Sequence, residues 1–273
     1  MYETYWQLKQ KPFENAADPR FYYPGESHQA ALLKLRYVIE NRRGGALLAG
    51  PSGSGKTLLT TMLPGILSEV FTPLVRLVFP QMSTAELLAY LADELEGADP
   101  TAAAPGVQVS VRRIQRFLAA NSQQGHHAVI VIDEAHLLDS VHTFEALRLL
   151  LNFEPGGAPA LTLLLVGQPA ILPTLDRMPQ WEERLGVKCL LRPLSEPETA
   201  AYVEHRLRAA GAMRSIVDPN ALPTLYALTH GIARRINRLC DLALLIGFAE
   251  EQQTLSAEHF EAVCHELVAV APE

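Results

Sequence analysis

Cysteine is scarce: the 273 residues hold three, Cys189, Cys240 and Cys264, far apart and odd in number. No C-x-x-C pair occurs, which argues against a disulfide framework and against a zinc site built on paired thiolates. The three read as buried thiols of a reducing compartment. Long apolar runs are missing too. The most apolar segments, residues 161–166 and 242–249, fall well short of the 18 or so residues that cross a bilayer. Residues 1–6 lack a basic region followed by an apolar run, so no targeting signal is expected and the chain is expected to be cytoplasmic. Positive charge is in deficit, with 23 Lys and Arg against 30 Asp and Glu. The net charge of −7 excludes a general polyanion binder and leaves room only for a local basic patch. Internal repeats and low-complexity runs are absent. What abounds is apolar residue, 48% against 19% charged, the balance of a globule with a substantial core in one large or two modest domains.

One stretch organises the rest: Gly50-Pro51-Ser52-Gly53-Ser54-Gly55-Lys56-Thr57 fits the phosphate-binding pattern G-x-x-x-x-G-K-[ST]. Glycines let the backbone approach an anion, and successive N–H groups form a nest for phosphates. The Lys56 ammonium suits the β- and γ-phosphates, and the Thr57 hydroxyl suits Mg²⁺. Ala46-Leu47-Leu48-Ala49 before it reads as a short buried strand, and residues 58–63 after it open a helix whose N-terminal dipole favours the anion.

A second chemical signal is Ala128-Val129-Ile130-Val131-Ile132-Asp133-Glu134. A β-branched apolar run reads as a central parallel strand buried on both faces, and it ends in two carboxylates. Ligands of open α/β sheets sit beyond the carboxyl ends of the strands. Asp133 there suits Mg²⁺, directly or through its water, and Glu134 suits orienting and deprotonating an attacking water.

Further elements fill the pattern. The aromatic and proline-rich residues 1–27 read as an ordered wrapping segment. A helix is expected over 28–43, capped by Ser27, and a strand over 74–79. Ser83 or Thr84 starts a helix to about 96, residues 96–106 read as a surface loop, and 110–122 as a helix. A helix over 139–151, a strand over 161–168 ending in Gln168 and a short strand over 188–191 follow. Beyond residue 192 only helices are expected, the first opened by a Ser195/Glu198 capping box, then others capped by Asp218, from 232 and from Ser256. Alternating strand and helix imply a doubly wound parallel α/β sheet of five strands, followed by a small all-helical domain. The expected division is 1–192 and 193–273.

Arg112, Arg113 and Arg116 share one side of the 110–122 helix, a solvated face first and a polyanion contact second. His136 and His142 stand near the acidic pair without a third ligand at metal-binding spacing, so they read as surface or core histidines. His126-His127 read as a solvated turn before the strand. Ser52 and Ser54 belong to the phosphate loop rather than to a Ser-His-Asp set.

Taken together with Lys11-Pro12-Phe13, Asp18-Pro19-Arg20-Phe21-Tyr22, Gly167-Gln168-Pro169, Leu191-Arg192-Pro193-Leu194 and Gly231-Ile232-Ala233-Arg234-Arg235-Ile236-Asn237, these motifs resemble AAA+ ATPases. The narrower likeness is to the secretion-pathway protein A (ExeA/GspA-type) family, related to transposition ATPases of the MuB and TniB kind. The resemblance covers nearly the whole chain. It implies hydrolysis of ATP with Mg²⁺, coupled to motion of the helical domain as a lid and to a homo-oligomer, ring or filament, that serves a protein partner in secretion or export. The alternative it carries is an ATP-switched DNA-binding regulator of the transposition type. It assigns Gln168 as sensor 1, Arg234 as sensor 2 with Arg235 as rival, and Arg184 as the arginine finger acting on a neighbour's ATP. A salt bridge of Arg184 to Glu182 or Glu183 is the bland alternative. Long members of that family continue into a membrane span and a peptidoglycan-binding domain; with the sequence ending at Glu273, an envelope-anchored role is not expected. The string Asp133-Glu134-Ala135-His136 also spells a helicase motif, which the chain is too short to accompany with two helicase domains.

Overall fold

The computed structural model describes residues 1–98, 106–138 and 140–269. Residues 99–105 of the expected surface loop and Asp139, expected to open a helix, lie outside them. The strands are β1 (Gly45–Ala49), β2 (Leu74–Leu77), β3 (Ala128–Ile132), β4 (Leu161–Gly167) and β5 (Leu185–Leu190). The helices are α1 (Tyr2–Tyr5), α2 (Glu26–Glu40), α3 (Lys56–Ile66), α4 (Thr84–Glu96), α5 (Val107–Gln123), α6 (Val141–Leu150), α7 (Leu172–Asp176), α8 (Pro179–Glu182), α9 (Glu196–Ala209), α10 (Leu222–Thr229), α11 (Ala233–Ala249) and α12 (Ala257–Ala269). Two compact units emerge. One comprises Ser27–Gly50 and Leu59–Leu191; the other comprises Met1–Glu26, Pro51–Leu58 and the chain from Arg192.

In the first unit the five strands form one sheet in the order β2-β3-β4-β1-β5, every pairing parallel. All residues of the central strands β1, β3 and β4 are buried, as their unbroken apolar runs require, while β2 at the edge alternates. Strand lengths follow their neighbours. β2 stops at Leu77 rather than Phe79 because Leu77 pairs with Ile132, the last residue of β3, and Val78 and Phe79 are left exposed. β5 starts at Leu185 rather than 188 because Gly45 at the head of β1 offers it a ladder partner there. The core gathers Leu47, Ile130 and Leu165 from the sheet with Leu91, Ile114, Leu147 and Trp181 from the helices. His127, expected in a solvated turn, is fully buried, its Nδ1 3.1 Å from the Pro159 carbonyl and its Nε2 2.8 Å from the Thr162 hydroxyl.

Helix starts follow the capping chemistry. Ser83 and Glu86 form a capping box for α4, and Ser195 and Glu198 do so for α9, both as expected. α5 begins at Val107, three residues before Ser110, because Gly106 in extended conformation serves as its N-cap. α2 begins at Glu26, placing Ser27 in its first turn; the Glu26 N–H finds the Glu198 carboxylate at 3.0 Å instead of a Ser27 cap.

The second unit has its own core of Trp6, Phe13, Phe21, Leu225, Leu239 and Phe260. The aromatic N-terminal segment wraps its helices, as the rings require. Trp6 Nε1 donates to the Leu244 carbonyl at 2.9 Å, and Tyr2 hydrogen-bonds Asp241. Arg206, 5% exposed, fastens this wrap: Nε donates to Pro12 O at 2.6 Å, Nη2 to Glu14 O at 2.9 Å and Nη1 to the Tyr202 hydroxyl at 2.9 Å, over the Phe21 ring.

Candidate active site

Gly50 leaves β1 and the chain turns through Pro51–Gly55 before α3 opens at Lys56. Gly53 and Gly55 take φ of +76° and +93°, the left-handed region that only glycine enters without cost. The Ser54 N–H donates to Pro51 O at 3.2 Å and Lys56 Nζ donates to the same carbonyl at 2.9 Å, so the ammonium is folded over the loop. Lys56 and Ser54 are both buried. Thr57 follows in the first turn of α3.

Arg234 lies in the first turn of α11, after the Gly231-Ile232 turn. Its N–H donates to Gly53 O at 3.1 Å, and a Cβ added to Gly53 would stand 2.5 Å from the Arg234 Cβ. The stem of Arg234 thus runs along the phosphate loop. The Arg235 N–H instead bonds Ile232 O at 2.8 Å within the same turn. Of the two rival arginines, Arg234 is the one whose backbone and stem meet the loop.

In the sheet unit, the parallel register puts the ends of β2, β3 and β4 at one edge. Asp133 follows β3, its N–H bonded to Leu77 O at 2.8 Å and its side chain 3% exposed. The carboxylate is fully engaged: Oδ1 accepts the Glu134 N–H at 3.0 Å and Oδ2 accepts Arg76 Nη2 at 2.5 Å. Arg76 Nη1 also reaches the Thr61 hydroxyl at 3.2 Å. Glu134 takes the left-handed conformation, φ +50° and ψ +35°, which a non-glycine residue holds at a cost of roughly 1 kcal/mol. A short 3₁₀ turn, Ala135–Leu137, fixes it through Leu137 N–H to Glu134 O at 2.8 Å. Gln168 follows β4, its N–H donating to His136 Nδ1 at 3.4 Å.

Arg184 stands at the other edge. It precedes β5, and its carbonyl accepts the Gly45 N–H at 3.0 Å at the start of β1. The registers put Asp133 level with Leu48 and Arg184 level with Gly44. Four residues at ~3.3 Å and three strand spacings at ~4.8 Å separate them by about 20 Å. The expected alternative, a salt bridge to Glu182 or Glu183, does not form among the described residues: Glu182 pairs with Lys188 at 2.6 Å, and Arg184 Nη2 donates to Asn152 Oδ1 at 2.6 Å. On α5, Arg113 is spent on Asp93 and Glu96 at 2.8 and 2.5 Å, while Arg112 and Arg116 are exposed.

Two residues of this edge escaped the sequence reading. Arg76 is the single charge in the strand Leu-Val-Arg-Leu, beside a strand that ends in two acids, and that placement was available as a clue. The sequence reads His136 as a surface or core histidine rather than a metal ligand, with no role beside the acids. Its contacts depend on a 3₁₀ turn and on the end of β4, 32 residues away, which no local pattern reveals.

The AAA domain family model matches residues 39–175. Across its whole length the chain is 34% identical to General secretion pathway protein A of Aeromonas hydrophila and spans 50% of that relative. Among solved structures, Cdc6p from Pyrobaculum aerophilum superposes with a TM-score of 0.73 over 96% of this chain and 74% of that one, at 16% identity. The ORC2 protein of Aeropyrum pernix, in ADPNP-ADP complexes, gives 0.72 over 97% and 73%, at 17% identity. The RuvB Holliday junction branch migration motor of Thermotoga maritima gives 0.60 over 89% and 69%, at 17%. These three establish the fold. With half its length matched by the family model, a five-stranded parallel sheet, a phosphate loop after β1 and an acidic pair after β3, the chain belongs to the AAA+ ATPases and is similar from end to end to secretion pathway protein A.

Proposed function

We propose that this ATPase hydrolyses Mg²⁺-bound ATP in an oligomer whose subunits complete one another's sites, and that it serves a secretion or export system. Two observations carry this reading, each within its own unit: a phosphate loop whose Gly53 carbonyl accepts the Arg234 N–H, and a sheet edge with a fixed Asp133 and a conformationally constrained Glu134. In this reading Lys56 and the loop amides hold the phosphates. Thr57 and Asp133 hold Mg²⁺, Glu134 takes the proton of the attacking water, Gln168 orients that water, and Arg234 binds nucleotide from the helical unit.

The residues present suit the metal. Mg²⁺ prefers hard oxygen ligands and keeps phosphate oxygens and waters in its shell, so a hydroxyl and one carboxylate suffice. No cluster of three or more His, Cys, Asp or Glu able to hold an ion occurs among the described residues. Held by Thr57 and Asp133, the ion would neutralise negative charge on the phosphates.

Arg184, about 20 Å from the Asp133 of its own sheet, is too far to serve its own nucleotide, which favours action on a second copy. The secretion role rests on the likeness to a relative of which this chain spans half. A DNA-linked role keeps Arg112 and Arg116 as phosphate contacts but loses Arg113 to its ion pairs. No described helix is long and apolar enough to cross a membrane.

The test is steady-state turnover of wild type and Glu134→Gln across protein concentrations, with and without duplex DNA. The expected result is specific activity that rises with wild-type concentration, no response to DNA, and a Glu134→Gln variant that binds nucleotide but does not turn over. Undiminished turnover in Glu134→Gln removes the base assignment, and stimulation by DNA transfers the function to the transposition-like reading.

A further inference from the structure

The histidine of Asp133-Glu134-Ala135-His136 has no part in the scheme above, yet it touches two of its members. The His136 side chain is 10% exposed, and its Nδ1 lies 3.4 Å from Glu134 Oε2 and 3.4 Å from the Gln168 N–H nitrogen. Backbone packing reinforces the contact. A Cβ on Gly167 would stand 3.1 Å from His136 N and 3.3 Å from His136 Nδ1, so the end of β4 is shaped to receive this ring. Glu134 meanwhile holds a left-handed conformation that the same Ala135–Leu137 turn maintains. Residues kept in unfavourable conformations persist only where surrounding contacts determine them, and they gather at active sites.

We propose that His136 is a positioning residue for hydrolysis: its Nδ1 accepts the Gln168 N–H, and the ring so anchored stands against the Glu134 carboxylate, so that base and water-orienting residue keep one geometry. With its proton on Nε2 the ring accepts the Gln168 amide through Nδ1, and Glu134 Oε2, which has no hydrogen-bond partner among the described residues, stands 3.4 Å away as a packed neighbour rather than a bonded one. The inference rests on the assignment of Glu134 as base and Gln168 as its neighbour on the water.

The experiment compares His136→Leu, which fills space without a polar atom, with His136→Asn, whose amide occupies the place of Nδ1 and can accept or donate. kcat, KM for ATP, affinity for a fluorescent ADP analogue and thermal melting are read for each. A missing hydrogen bond at a positioned base is worth about a factor of ten in rate. The expected result is a kcat about tenfold lower in His136→Leu, with KM and ADP affinity unchanged, and recovery to within about threefold of wild type in His136→Asn. Equal kcat in His136→Leu and wild type overturns the proposal. So does equal loss in both variants, which would assign His136 to packing, and so does a loss confined to KM. Should His136→Leu not fold, His136→Gln replaces it, since its longer side chain carries the amide to the Nε2 position; activity equal to His136→Asn then counts against the proposal. Glu134→Gln, assayed alongside, keeps the two readings apart. If it loses turnover while His136→Leu does not, only the histidine assignment fails; if it retains turnover, the base assignment fails and the histidine proposal falls with it.

Discussion

Gly53→Ala tests whether the helical unit and the phosphate loop form one nucleotide-binding device. Gly53 sits at φ +76°, where a Cβ costs roughly 1 kcal/mol. That Cβ would also come within 2.5 Å of the Arg234 Cβ, well inside the ~3.5–4.0 Å of carbon–carbon contact. The start of α11 must then retreat by about 1 Å, and the 3.1 Å bond from Arg234 N–H to Gly53 O breaks, a further ~1 kcal/mol. Together these remove about 2–3 kcal/mol from the arrangement that receives phosphate, or roughly 30- to 150-fold in nucleotide affinity. Fluorescent ADP titration measures it directly, with the melting curve as a check that the fold survives. Gly65→Ala is the control: nothing lies within 4 Å of the added carbon, and in the last turn of α3 the change stabilises by up to about 1 kcal/mol. Truncating Arg234 to Ala would keep its Cβ and so would not relieve the clash. Affinity for Gly53→Ala within threefold of wild type would refute the coupling of Arg234 to the loop.

Three more outcomes follow from the same coordinates. Burial, then the nearby Arg42 charge, lowers the His127 pKa from 6.5 to about 4 against the opposing hydrogen bond to Pro159 O, so the unfolded chain takes up the proton first as pH falls. Stability is therefore full above pH 6.5 and drops by up to about 3 kcal/mol on the way to pH 4; His127→Gln should flatten the denaturation midpoint over that window, and an unchanged slope would refute it. Arg206→Met removes three hydrogen bonds, leaving the Pro12 and Glu14 carbonyls of the N-terminal wrap unserved, at a cost of about 3 kcal/mol or more; a melting temperature several degrees lower and faster tryptic cleavage at Lys9 are expected, and unaltered protection would count against the clamp. Arg184→Ala and Lys56→Ala should each lose turnover but recover part of it when mixed, since the second supplies the arginine that the first lacks; a mixture no more active than the sum of its parts rules out action between subunits.

Buried central strands and capped helices were legible because each is written in neighbouring residues: the all-apolar 128–132 run, or Ser195 with Glu198. Edges were less so. The extra residues of β5, Leu185 to Val187, pair only because Gly45 and Ala46 lie alongside, and Leu-Gly-Val is weak strand sequence by itself. The phosphate loop and acidic pair could be named from spacing, whereas Arg76 and His136 could not, because their partners come from other strands. His127 failed for a related reason: polar at the end of a polar stretch, it is buried because Thr162 and the Pro159 carbonyl accommodate both ring nitrogens.

The sheet itself argues for the division of labour proposed here. Parallel strands send all their carboxyl ends to one edge, and the edge that carries Asp133, Glu134 and Gln168 is the one from which β1 runs into the phosphate loop. Arg184 enters the same sheet from the opposite edge and two strands beyond β4. Nothing short of unravelling β5 brings the guanidinium to the acids of its own chain, because five register pairs hold that strand against β1. A second copy faces no such barrier. Half-buried and bonded only to Asn152 among the described side chains, the Arg184 guanidinium can exchange one neutral acceptor for a phosphate at little cost. If Arg184 acts in hydrolysis, it acts between subunits, and subunit concentration then governs the rate.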